Sequence, residues 1–202
     1  MTAGGRPPAS PLTERQAARR GAILRAGARL AARGGFDAVQ MRDVAEAAGV
    51  ALGTLYRYFP SKSHLLAALA RDLLERWRTA LLARPSGPGR PPGERVAATL
   101  ARTSRLLRRE PHLADALVRA LTFADRGAGS DGDEAARLVT AIVLDAAGAT
   151  RPSAAQLSAV RVVTHTWHAA TVAELTGRAT PARAAADVAT ACGLIDRAFP
   201  DG

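Results

Sequence analysis

The sequence predicts an all-α protein, and three observations carry that expectation. Ala, Leu and Arg dominate the 202 residues and are strong helix formers, whereas residues that favour strands are scattered. Apolar residues return at helical spacing in one stretch after another. Clusters of Gly and Pro separate those stretches, as helix ends and loops require.

In chain order, residues 1–12 are rich in Gly, Pro and Ala and predict a disordered arm. Thr13-Glu14-Arg15-Gln16 has the spacing of a capping box and so opens a first helix. Ile23, Leu24, Gly27, Leu30 and Ala31 form its apolar face, and Gly34-Gly35 ends it. A short helix follows from Met41 to Ala48, with Met41, Val44, Ala45 and Ala48 inward. Gly49 makes the turn, because glycine takes positive φ freely. A third helix then runs from Leu52 to Tyr58. Pro60-Ser61 stops it and caps a fourth, from Lys62 to about Leu82. Residues 84–93 read as the clearest loop in the chain. Five helical stretches lie beyond it, at about 94–109, 111–125, 132–147, 153–176 and 181–198.

The formal charge of +10 is unevenly spread. Residues 1–62 carry a net +6, and residues 63–202 only +4 over more than twice the length. Lys62 is the single lysine among 28 basic residues, so a preference for Arg is present, but it does not explain the asymmetry. A basic end on a nearly balanced body predicts a nucleic-acid-binding head. No apolar run approaches the ~20 residues of a membrane helix. The N-terminus lacks the apolar segment of a secretory signal. The lone Cys192 rules out an intrachain disulfide and a zinc site of paired cysteines. The expected location is the cytoplasm, with no membrane partner, no cofactor and no metal.

The segment 41–62, short helix, Gly turn, short helix, is the most informative. Its second helix presents a polar, aromatic and small surface, and a DNA major groove ~12 Å wide admits one helix. Gly53 lets the backbone approach base edges, and Thr54 can touch a base edge or a thymine methyl. Tyr56, Tyr58 and Lys62 can reach phosphates, which position the head without reading sequence. Ser61 opens a helix N-terminus that also suits a phosphate. The competing use of these aromatics is as partial core of a three-helix head, and that is the reading for Leu55 and Phe59.

Val44-Ala-Glu-Ala-Ala-Gly-Val50 followed by Gly53-Thr-Leu-Tyr-Arg-Tyr-Phe-Pro-Ser-Lys62 resembles the DNA-binding head of TetR-family repressors. Within that family, Val39-Gln-Met-Arg42, the block Gly53–Lys62 and His64-Leu65-Leu66 are most similar to the KstR-type repressors of bacterial cholesterol-catabolism genes. Looser likeness continues at Phe123-Ala124-Asp125 and around Trp167. The resemblance implies a nine-helix homodimer, with a helix-turn-helix domain over 13–62 and a ligand-binding and dimerisation body over 63–202. It implies repression at palindromic double-stranded operator DNA, relieved by a bulky apolar inducer such as a steroid-derived or fatty acyl-CoA thioester. Arg42, Leu52, Gly53, Thr54, Tyr56, Arg57, Tyr58 and Lys62 are the expected DNA-binding set. Ala51 departs from the family, where Ser or Thr often caps the recognition helix. Loss of such a cap costs ~1 kcal/mol, so packing must hold the helix in place.

The family builds its dimer from the last two helices, here 153–176 and 181–198. Leu157, Val160, Thr164 and Thr171 on the first, and Ala184, Val188, Ala191 and Ile195 on the second, are the expected interface. An ordinary core helix explains either segment alone; the pair together favours dimerisation. Leu106, Leu107, Leu117, Leu121, Phe123, Val139, Ile142, Val143, Val163 and Trp167 are candidate pocket walls, although plain core explains each of them too. With aromatics at only 4%, a body of small residues leaves room for a bulky apolar ligand. Arg102, Arg105, Arg108 and Arg109 could meet its phosphates or simply form a solvated face. His165 and His168 could hold a metal between them, but no third ligand is evident. The alternatives are a small helical enzyme acting on a lipid or thioester in an apolar cavity, and a basic module binding RNA or acidic protein.

Overall fold

The structure, a computed structural model, describes residues 11–85, 87, 89–122 and 129–199. Among them are nine helices and no strand: α1 (Pro11–Ala38), α2 (Met41–Ala48), α3 (Leu52–Tyr58), α4 (Lys62–Leu82), α5 (Pro92–Arg109), α6 (Pro111–Thr122), α7 (Gly129–Ala147), α8 (Ala154–Leu175) and α9 (Pro181–Ala198). Most of the expected arm, residues 1–10, lies outside the described residues, as do Phe123, Ala124 and Asp125. α1 starts at Pro11, so Thr13 falls within the helix and not at its start. It is broken at Gly34-Gly35, where Gly35 takes φ 71°.

Local chemistry sets the other ends. Gly49 closes α2 with φ 66°, its N–H reaching back to the carbonyls of Ala45 and Glu46. Ser61 caps α4 by accepting from the His64 N–H at 3.4 Å. Ser153 and Gln156 form a reciprocal capping box at the start of α8. α5 has no capping side chain of its own. Asp196 of α9 supplies one from afar, its Oδ1 accepting from the Gly93 N–H at 2.7 Å. The two helices meet so closely there that a Cβ on Gly93 would lie 2.5 Å from both Asp196 Oδ2 and the Cys192 carbonyl oxygen. Burial, with the Asp196 charge nearby, pushes the Cys192 thiol up to about 11.

Two main cores result. The first joins Ile23, Leu24, Val44, Leu55 and Phe59 of the head to Leu65, Leu66 and Leu69 of α4 and to Ala116, Leu117 and Ala120 of α6. The second gathers α5, α7, α8 and α9 around Val96, Leu100, Val143, Val160, Val163 and Ile195. Leu74 of α4 packs with Ala135 and Ile142 of α7 in a smaller cluster that links the first core to the body.

Candidate nucleic-acid interface and apolar cavity

In the head, buried Val44, Ala45 and Leu55 seat α2 and α3 on α1 and α4. α3 is anchored by Leu55 and by backbone bonds from Thr54 and Leu55 to the Ala51 carbonyl, with no side-chain cap. Packing therefore holds it, as the alanine at 51 requires. Arg42, Gly53, Tyr56 and Arg57 are exposed, Tyr56 at 46%. Nothing lies within 4 Å of where a Gly53 Cβ would stand, so this side of α3 is open to a close backbone approach. Thr54 is partly exposed beside it. Leu52 and Tyr58 are half-buried against the head core, the Tyr58 ring 6.4 Å from that of Phe59.

Lys62 is placed differently from the free reach to phosphate expected of it. Its Nζ donates to the Phe36 carbonyl at 3.1 Å and lies 4.3 Å over the Phe36 ring. The same carbonyl, in the last turn of α1, also accepts from the Val39 N–H at 3.3 Å, so the ammonium is its second donor. Two further ties meet at the same corner. The Arg119 guanidinium of α6 donates to Asp37 Oδ2 at 2.9 Å and lies 4.8 Å over the Phe36 ring. Its hydrogen bond to the Asp37 carboxylate holds the Arg119 pKa above its ordinary value. A Cβ on Gly35 would meet Asp115 Oδ2 of α6 at 3.0 Å, so glycine serves both the turn and the approach of α6.

A cavity of about 580 Å³ lies in the body. Leu73, Leu74 and Trp77 of α4, Leu107 of α5, Leu117, Val118 and Leu121 of α6, Val139 and Leu144 of α7, and Trp167 of α8 form its apolar wall. Arg137, Thr140, Arg161, Thr164, His165, His168 and Thr171 supply its polar positions. Thr122 donates to the Val118 carbonyl at 2.7 Å, which uses its only proton. The His168 Nε2 lies 3.1 Å from the same hydroxyl, whose free lone pair can accept from it. Burial, aided by the neighbouring His165, lowers the His168 pKa and favours the neutral form.

Of the expected wall residues, Leu107, Leu117, Leu121, Val139 and Trp167 face this cavity. Val143 and Val163 do not, because the turn that carries them faces the second core. Ile142 packs toward α4 and borders a separate cavity of about 280 Å³. Leu106, one position round the helix from Leu107, is half-buried and lines none of the cavities described here. Phe123 lies outside the described residues. The contribution of α4 was missed, although Ala70, Leu73, Leu74 and Trp77 form a stripe at helical spacing that could have revealed it.

Four of the expected interface residues also need correction. Val160 and Ile195 are fully buried, and Ala184 and Val188 nearly so, within the chain's own second core. Thr164 and Thr171 border the cavity, while Leu157 and Ala191 are half-buried. The most apolar stripe of each helix is thus used at home. α8 leaves exposed another stripe, Ala155, Ser158, Val162, His165 and Ala169, next to Arg161; the exposed side of α9 includes Ala182, Ala186, Ala189 and Thr190 with the charged Arg183 and Asp187. Among the described residues, no cluster of three or more His, Cys, Asp or Glu could hold a metal, so His165 and His168 gain no further ligand. No helix there is long and apolar enough to cross a membrane.

The profile of bacterial regulatory proteins of the tetR family matches residues 23–69, and that of the tetracyclin repressor-like C-terminal domain matches residues 89–195. The chain belongs to the TetR family. The HTH-type transcriptional repressor KstR of Rhodococcus jostii strain RHA1 is 44% identical to this TetR-family chain over 164 residues, 81% of this chain and 76% of that protein. A crystal structure of a TetR transcriptional regulator from Rhodococcus sp. RHA1 superposes with a TM-score of 0.84 at 35% identity, covering 90% of this chain and 97% of the other. The FadR repressor of Thermus thermophilus, in complex with lauroyl-CoA, shares the fold with a TM-score of 0.65 at 24% identity, over 87% of this chain and 92% of that one. The similar proteins are named as transcriptional repressors, so the reading as a helical enzyme falls away.

Proposed function

We propose that this TetR-family repressor acts as a homodimer on palindromic operator DNA and is released by a bulky apolar effector with an anionic head, of the steroid-acyl or fatty acyl-CoA class. One observation carries the reading. Leu117 of α6 lines the 580 Å³ cavity and belongs at the same time to the core of the head. α4 does the same along its length, with Leu65, Leu66 and Leu69 in the head core and Leu73, Leu74 and Trp77 on the cavity wall. A ligand that moves either helix moves the head with it.

In this reading α3 enters the major groove with Gly53 and Thr54 at the base edges. Arg42, Tyr56 and Arg57 contact phosphates, while Lys62 fixes the corner between α1 and α4. The exposed stripes of α8 and α9 meet a second copy. Two heads then reach successive major grooves only when their separation matches ~34–36 Å. The apolar wall suits a hydrocarbon or steroid body, and Arg137, Arg161 and His165 offer positive or donor groups to an anionic end. Ligand must bind the splayed arrangement better than the DNA-competent one, and operator must weaken ligand binding by the same factor.

The test is a pair of titrations of an acyl-CoA thioester, one against free protein and one against protein saturated with its own upstream DNA. A gel shift surviving excess competitor, with ligand affinity reduced about 5–150-fold by operator, supports the reading. Equal ligand affinity in both titrations refutes release by this route.

A further inference from the structure

Trp167 stands between two cavities. The second, of about 390 Å³, lies between α5, α8 and α9, and Trp167 and Thr171 border both. The indole is buried, and its N–H donates to Ser104 Oγ, a residue of the second cavity, at 2.9 Å. Ala97, Ala98 and Ala170 wall its inner side and are too small to fill it, while exposed Ala101, Ala185 and Ala189 stand at its open rim. Arg108 and Glu174, paired at 3.3 Å, stand with Arg90 and Glu94 on its polar, solvent-facing side.

We propose that the cavity between α5, α8 and α9 is the far chamber of the effector site, and that Trp167, pinned by Ser104, sets the length of apolar tail the site accepts. The inference rests on the effector reading above. A tail advancing through the first cavity meets the indole. To go further it must break the bond to Ser104 and turn a bicyclic ring within a close-packed core. Beyond the ring the surroundings are again apolar and roomy, and they end on an ion pair that favours no charged group. The far chamber therefore suits the end of a hydrocarbon chain, and the partition decides whether the chain reaches it.

The experiment measures calorimetric affinities of the full chain for saturated acyl-CoA thioesters from octanoyl to icosanoyl. Wild-type affinity should rise about fourfold per added methylene, the fold-change equivalent to ~0.8 kcal/mol per buried CH₂, and then level off. In Trp167→Ala the rise should continue over several more methylenes. Adding Ala97→Phe, which fills the far chamber, should restore the wild-type limit. Trp167→Phe preserves most of the core volume and should move the limit in the same direction by less, so it decides the matter if Trp167→Ala does not fold. An unchanged limit in either folded variant overturns the partition while leaving the effector site standing. Absence of binding at every chain length overturns the acyl-CoA reading itself, and the partition with it.

Discussion

Gly93→Ala should destabilise the protein, against the usual sign of that substitution. Within a helix, Ala is ordinarily favoured over Gly by ~0.5–1 kcal/mol. At position 93 the new methyl would lie 2.5 Å from the Cys192 carbonyl oxygen and from Asp196 Oδ2. Carbon–oxygen contacts rarely fall below ~3.3 Å, so α5 and α9 must part by several tenths of an ångström. The carboxylate can swing aside, but the carbonyl is helix backbone and cannot. Parting the helices strains or breaks the 2.7 Å bond from the Gly93 N–H to Asp196, and hydrogen bonds to charged groups contribute ~1.5–3 kcal/mol. Overpacking adds ~1–3 kcal/mol. Set against the propensity gain, the net loss is about 3 kcal/mol. For a chain of this size each kcal/mol lowers Tm by ~2–4 °C, so a thermal melt followed by circular dichroism should fall by ~6–12 °C at fixed protein concentration. Asp196→Ala, which removes the cap without adding bulk, should fall by less. A Gly93→Ala protein as stable as wild type, or more so, would refute the close-approach argument.

Three further outcomes are expected. Thr54→Ala should lose ~1–3 kcal/mol of discrimination between operator and random DNA, whereas Arg42→Ala should weaken both alike and reduce the salt slope by about one phosphate contact; fluorescence anisotropy against both DNAs at several salt concentrations separates the two. Val162→Asp, on the exposed stripe of α8, should give monomers by analytical sedimentation and a steep loss of operator affinity, because two unpaired like charges would meet across the dyad; a dimeric variant moves the interface elsewhere. The folded-state pKa of His168 is depressed below its ordinary 6.5, so the unfolded chain binds more protons in that region. Stability contributed by neutral His168 is present above about pH 6.5 and lost as pH falls through the folded value. Denaturant midpoints measured down to pH 5 should decline less steeply in His168→Gln, and parallel profiles would contradict the assignment.

The head was largely legible because its constraints are local. Gly49 must turn, Ser61 must cap, and a seven-residue helix such as Leu52–Tyr58 can bury only one face, so spacing identified the elements directly. The body was legible as helices but less so as surfaces. α8 is apolar on more than one side, and periodicity cannot say which side meets its own core. Val160 and Val163 went to that core, Thr164 and Thr171 to the cavity, and Val162 to the outside. Lys62 illustrates the same limit at one residue. Its charge suggested DNA, yet the Phe36 carbonyl in the last turn of α1, 26 positions away in sequence, holds the ammonium against the head. Gly93 carried no signal at all, since its partner lies on α9 and only the fold brings the two together.

The sharing of α6 bears on how freely this repressor can be recombined. Ala116, Leu117 and Ala120 complete the hydrophobic interior beneath the helix-turn-helix, and Asp115 and Arg119 fit against the Gly35 turn, Phe36 and Asp37. A chimera joined after residue 62, grafting these reading helices onto a foreign sensor, would inherit an unfilled interior and a mismatched corner. Transplantation must carry α4 and the inward face of α6 as well, so the unit that can be exchanged between regulators is discontinuous in sequence.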